Sequence, residues 1–280
     1  MPFVIGFLIF QAYPFIFSLY LTFTKWDMFN APQWVGLQNW KSIFHEKQMY
    51  YSFRNIFFFA VIFVPLKTGI AFVAAYVLNQ SIRFKGFFRV IFFLPVITPW
   101  IAAGMVWSWI LNSNFGVVNL LLGYVNLGPY KYLDNPNWWV VIGSVAIANV
   151  WKGMGSSMIL LLAGMQNISK DLYEAADLDG ASKWQVFRSI IVPLVSPMAY
   201  MVLILSTISA FHAFDSFLTL VGAPGGVRDQ LLTVNIMIYR DAFILFKMGP
   251  ASAMAWLLFI VILIITIFQR KMEKRWVHYD

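Results

Sequence analysis

The chain has 280 residues, of which 60% are hydrophobic and 11% charged, with a mean hydropathy of +0.72. Soluble domains carry about 25% charged residues, so a water-facing surface is excluded and the reading is an all-α, polytopic membrane protein. The net charge of +8 would suggest nucleic acid in a soluble domain, but here basic residues belong in cytoplasmic loops. No nucleic-acid partner is expected, and the absence of cysteine excludes disulfides and thiolate metal sites.

A spanning helix needs about 20 apolar residues. Six stretches qualify, near 3–23, 53–78, 86–111, 138–164, 194–221 and 250–269, and they form one domain over 1–280. The first is too long for a signal-peptide core and has no basic segment before it, so it is read as a retained span. Prolines at Pro14, Pro65, Pro95 and Pro99 fall inside spans, where neighbouring groups can satisfy freed carbonyls. Placing 79–89, 165–190 and 270–280 on one side gathers 10 cations in 48 residues, against 8 in 86 for the opposite loops. The denser side is expected to be cytoplasmic, with both termini inside. The opposite loops carry Trp26, Trp34, Trp40, Trp138 and Trp139, consistent with short folded segments at a membrane interface.

Between spans four and five lies a polar, alanine-rich stretch, 165–193. Ser169 can cap a first short helix carrying Glu174, Ala175 and Ala176, and Asp179-Gly180 should end it, because glycine accepts a left-handed turn. Ser182 and Gln185 have the spacing of a capping box that starts a second helix. Pro193 should stop that helix, since the residue before proline avoids the helical region. Two adjacent alanines offer a low surface for close approach, Glu174 offers charge, and Trp184 and Phe187 can anchor the second helix. Long apolar helices tether both ends, so the stretch reads as a docking element for a cytoplasmic protein rather than a DNA-reading motif.

The pattern E-A-A-x(3)-G at 174–180, with Phe187, Ile190, Pro193 and Pro197, resembles the coupling loop of ABC importer permeases. VGLQNW at 35–40, FRVIFFLPVITPW at 88–100, FGVVNLLL at 115–122, AFDSFLTL at 213–220 and IYRDAFILFKMGPASAMAW at 238–256 are similar to the carbohydrate-uptake branch of that family. VGAPGG at 221–226 departs from the family's usual GGP run. The resemblance implies a six-helix permease subunit in a bacterial inner membrane that imports a sugar, oligosaccharide or sugar derivative by alternating access. It implies a second homologous permease, two ATPase subunits and a periplasmic or extracellular solute-binding protein as partners. Glu174, Ala175, Ala176, Asp179, Gly180, Phe187 and Pro193 would couple to the ATPase. The chain itself is expected to bind no cofactor and to carry no catalytic or metal site. It lacks G-x(4)-G-K-[ST], which leaves ATP and Mg to the partner subunits.

Two lysines fall near the bilayer midplane, Lys67 in span two and Lys152 in span four. Such charges cost about 2.5–3.5 kcal/mol on insertion scales and usually face the bundle interior or a wet cavity. Three readings stay open: lining of the substrate pathway, an internal ion pair with Asp215, or misplaced span edges. Trp151, Phe211 and His212 would add ring and polar contacts of the kind sugars favour, and excess positive charge would suit an anionic carbohydrate. A secondary transporter is a lesser alternative, lacking visible inverted repeats. A rhomboid-like protease built on Ser156 or Ser157 with His212 is another, but serines in oily helices usually bond their own backbone.

Overall fold

The computed structural model describes residues 1–80, 82–221 and 231–276, with side chains through residue 273. VGAPGG after Val221, and the side chains of Lys274 and Arg275, lie outside the described residues. The chain is helical nearly throughout. Five helices are long and apolar enough to cross a membrane, and a bent pair makes a sixth span.

The first span, α1 (Pro2–Leu21), contains a π-turn at Leu8–Ala12 that carries Gln11. A short hairpin follows, β1 (Thr24–Lys25) with β2 (Gln33–Trp34), pairing Thr24 with Trp34. After α2 (Gln38–His45) comes α3 (Lys47–Asn79), which passes through Pro65 without ending. Asn39 of α2 donates to the Thr22 and Thr24 carbonyls at 2.9 and 2.8 Å. The loop after the first span is thereby a folded segment, as its tryptophans predicted.

Span three is not one straight helix. It consists of α4 (Lys85–Ile97) and α5 (Trp100–Ile110), bent by 101°. Thr98 precedes a proline and is extended, with φ −71° and ψ 138°, as steric clash with the Pro99 ring requires. Of the four prolines placed inside spans, Pro99 therefore terminates a helix rather than being tolerated within one. After α6 (Val117–Gly123), α7 (Trp138–Gln166) supplies span four and packs most extensively against α3.

The polar stretch folds as α8 (Lys170–Leu178), a turn, and α9 (Lys183–Phe211). Pro193 does not end the second helix, contrary to expectation. A π-turn at Phe187–Ile191 directly precedes it. That wider turn relieves the clash a proline ring normally makes with the carbonyl four residues back. The second arm and span five are thus one continuous helix. Span five ends at Phe211 rather than near 221, and α10 (Asp215–Val221) is a separate helix. Next comes α11, Val234–Tyr239 extended by a π-turn through Ile244, and then α12 (Met248–Trp276).

Two apolar cores form. One gathers Ile56, Phe59, Phe63, Ile142, Val145, Phe211 and Phe217; the other gathers Ala71, Ala75, Met158, Leu161, Ile191 and Val195. Along α3 the first core stops at Val64 and the second starts at Ala71; along α7 the limits are Val150 and Met158. Between them lies a band in which polar Lys67, Thr68, Lys152, Ser156 and Ser157 are interspersed with Leu66, Ile70, Trp151 and Met154.

Candidate functional site

That polar waist contains Lys67 and Thr68 on α3, Lys152, Ser156 and Ser157 on α7, and Ser206 on α9. Lys67 is 6% exposed. Its ammonium lies 5.4 Å from the Phe63 ring centroid and crosses α7 at Gly153, where a Cβ would stand 3.2 Å from the lysine Cε. Lys152 turns the other way. Its Nζ donates to the Pro95 and Val96 carbonyls, both at 3.0 Å, and sits 5.6 Å from the Trp100 ring. These carbonyls belong to the last turn of α4, where the bend removes the ordinary helical donors and Thr98 reaches back to the Pro95 carbonyl with its N–H at 3.3 Å and its hydroxyl at 2.7 Å. A cation is favoured there by the helix dipole as well. Lys152 therefore stitches the break in span three.

The break in span five is treated the same way. Asn235 of α11 donates to the Phe211 carbonyl at 2.8 Å and the Ala213 carbonyl at 3.4 Å. Irregular backbone at membrane depth persists only where other groups satisfy it. The two post-break helices meet each other: a Cβ at Gly104 of α5 would overlap the Thr219 side chain of α10. On the other half of span three, a Cβ at Gly155 of α7 would overlap the Phe92 carbonyl of α4.

The anticipated pairing of Lys67 or Lys152 with Asp215 does not form. Among the described residues the ion pairs are Arg240 with Glu46 and with Asp241. Asp215 is exposed at the start of α10 instead of lying inside a span, because span five has already ended. His212 is exposed in the break, while Phe211 is buried in the first core and Trp151 meets Trp107 edge-on at 5.8 Å. Lys67, Trp151 and Lys152 thus share the waist, whereas Phe211, His212 and Asp215 follow the span-five break. Ser156 bonds the Gly153 carbonyl of its own helix at 3.0 Å.

At the opposite end of α9 stands the glycine joint. Ser169 Oγ accepts from the Asp171 N–H at 3.3 Å. Gly180 has φ +69°, and the Ala181 N–H reaches back to the Ala176 carbonyl at 2.9 Å. The capping box at Ser182 is complete, with Ser182 N–H donating to Gln185 Oε1 at 2.7 Å and Gln185 N–H donating to Ser182 Oγ at 3.4 Å. Phe187 packs edge-on to Tyr76 at 5.1 Å and Phe72 at 6.0 Å, which anchors the arm to α3. Burial pushes the Tyr173 phenol above its usual range, with Tyr76 adding to the effect.

Two details correct the expected surface. Ala176 is buried under α8, so of the alanine pair only Ala175 faces outward, beside exposed Glu174. Trp184 stacks on Phe187 at 5.4 Å but remains 65% exposed, so it anchors little. Leu178, unnoticed in the sequence, is 90% exposed at the tip of α8. Its placement between two aspartates concealed it among polar residues. Gly153 and Gly155 were also missed, although small residues inside a spanning helix mark close approach.

Residues 67–278 match the sequence profile of the family described as binding-protein-dependent transport system inner membrane component. The chain belongs to this family. It is an inner-membrane permease, a transport subunit. The chain is 37% identical over 281 residues to the probable ABC transporter permease protein YesP of Bacillus subtilis, covering 100% of this chain and 90% of that one. It is 33% identical over 241 residues to the trehalose/maltose transport system permease protein MalF of Thermococcus litoralis, covering 86% and 80%. Among solved structures it superposes on a bacterial ABC transporter involved in import of the acidic polysaccharide alginate. The TM-score is 0.81 at 24% identity, covering 98% of this chain and 93% of that one.

Proposed function

We propose that the chain is one permease half of an ATP-driven importer for a sugar, oligosaccharide or sugar derivative. Its single domain, 1–280, carries the 165–193 loop as the seat for an ATPase subunit. A second permease, a second ATPase and a solute-binding protein complete the assembly, ATP and Mg reside on the ATPases, and both termini are cytoplasmic. The observation that carries this reading is the joint. Glu174, Ala175 and Leu178 project from α8, and beyond Gly180 the chain runs without interruption from Lys183 to Phe211. A push on the loop is therefore applied to a rod that passes the waist and ends at the span-five break beyond it. Asp179 and Gly180 set the angle of the joint, Phe187 ties it to α3, and Pro193 lies just past the wide turn.

The sugar class rests on the relatives, one of which is named for trehalose and maltose. Charge favours an anionic member of that class, because neither Lys67 nor Lys152 has a carboxylate partner among the described residues. Lys67 is the stronger pathway candidate, since Lys152 is engaged by carbonyls. The test is reconstitution of the four-subunit complex with its solute-binding protein in vesicles. ATP-dependent uptake of labelled uronate oligomer above neutral maltodextrin is expected. Uptake of neither, with full assembly and basal ATP hydrolysis, would overturn the substrate class.

A further inference from the structure

An open groove of about 510 Å³ runs between the cytoplasmic half of α3 and the first turns of α4, lined by Gly69, Val73, Val77, Ile82, Phe88 and Phe92. Every one of these residues is apolar. Its α3 wall, from Gly69 to Leu78, rises about 13 Å at helical pitch, close to the hydrocarbon depth of one leaflet. Glycine at 69 and alanine at 74 keep that wall low.

The mouth of the groove is basic. Lys85 precedes Phe88 by three residues and Phe92 by seven, so all three share one face of α4. Arg83 lies just before the helix, and Arg89 one turn inside it. None of the three forms an ion pair among the described residues, and the Nε of Arg89 is buried without a hydrogen-bond partner. No Asp or Glu occurs between Glu46 and Asp134. The start of α4 has no side-chain cap, and Phe84 before it is exposed with φ +61°. A bulky residue is uncommon in that conformation, which here turns the chain sharply into α4. Free N–H groups at such a helix start favour an anion.

We infer that this groove is a site for an anionic phospholipid of the cytoplasmic leaflet. One acyl chain lies along α3 between Gly69 and Val77. The phosphodiester is held by Arg83, Lys85 and Arg89 at the start of α4. The site is distinct from the transport pathway and goes beyond the proposed import reaction. Because α4 ends at the Lys152-stitched break, the lipid would brace the helix whose other end reaches the waist.

The experiment uses the whole complex in nanodiscs containing phosphatidylglycerol or phosphatidylcholine with a photoreactive diazirine in the acyl chain. Cross-linked peptides are mapped by mass spectrometry. Phosphatidylglycerol should label 69–92 roughly tenfold or more over phosphatidylcholine, given three cations at the surface. The combined Arg83→Gln, Lys85→Gln, Arg89→Gln variant should remove that excess, while Ala74→Leu should reduce labelling by either lipid. Equal labelling by both lipids would overturn the anionic specificity. Absence of labelling, with a cysteine at Val77 cross-linking to the second permease, would show a protein helix in the groove. Should the triple variant fail to assemble, the wild-type ratio and Ala74→Leu still decide between these outcomes.

Discussion

The ammonium of Lys152 stands where the next N–H groups would be if α4 continued past Ile97. Lys152→Met should leave the Val96 carbonyl without its donor, while Thr98 still serves the Pro95 carbonyl, at about 1–3 kcal/mol, and lower the Tm of the purified complex by several degrees. Substrate affinity should hardly change. An unaltered Tm with a raised KM would instead assign this lysine to the substrate. Lys67→Met has the opposite profile: removal of a midplane charge relieves an insertion cost of about 2.5–3.5 kcal/mol, so Tm should hold or rise while uptake of an anionic sugar falls. The depth of both lysines was legible in the sequence, because it follows from span length alone. Their partners were not. The acceptors of Lys152 exist only because α4 breaks at Thr98-Pro99, and an ion pair with Asp215 required a span five that does not reach residue 215.

At the scale of elements, caps and the glycine turn were readable because they are local: Ser169, Gly180 and the Ser182/Gln185 pair each act within a few residues. Pro193 was misread since the rule for proline assumes an ordinary α-turn before it, and a π-turn depends on how the arm packs against α3. The breaks in spans three and five likewise depend on remote donors, Lys152 and Asn235. Helix crossings give a sharp contrast between two glycines on α7. Gly155→Ala places a Cβ against the Phe92 backbone, where nothing can yield, and overpacking of this kind costs about 1–3 kcal/mol or more. Gly153→Ala meets only the flexible end of Lys67. Thermal stability followed by size-exclusion chromatography should show a clear loss for the first and little for the second. Equal losses would mean that α4 does not sit on α7 as described.

Across the whole molecule, the account requires one orientation and one line of force. A cysteine at Val35 should react with an impermeant maleimide only from outside, and one at Leu178 only from inside; the reverse pattern would invert the topology. The line of force runs from the 165–193 loop through Gly180 into α9 and on to the waist. Gly180 has open space around it, so a side chain there acts through the backbone alone. Left-handed geometry costs about 1–2 kcal/mol for a residue with a Cβ, least for asparagine. The decisive measurement is substrate-stimulated ATP hydrolysis and uptake by the reconstituted complex carrying Gly180→Val or Gly180→Asn. Gly180→Val should assemble and insert normally yet lose most of the stimulation and uptake, with Gly180→Asn retaining most of both. Full stimulation and uptake in a normally assembled Gly180→Val complex would contradict the coupling role of the joint.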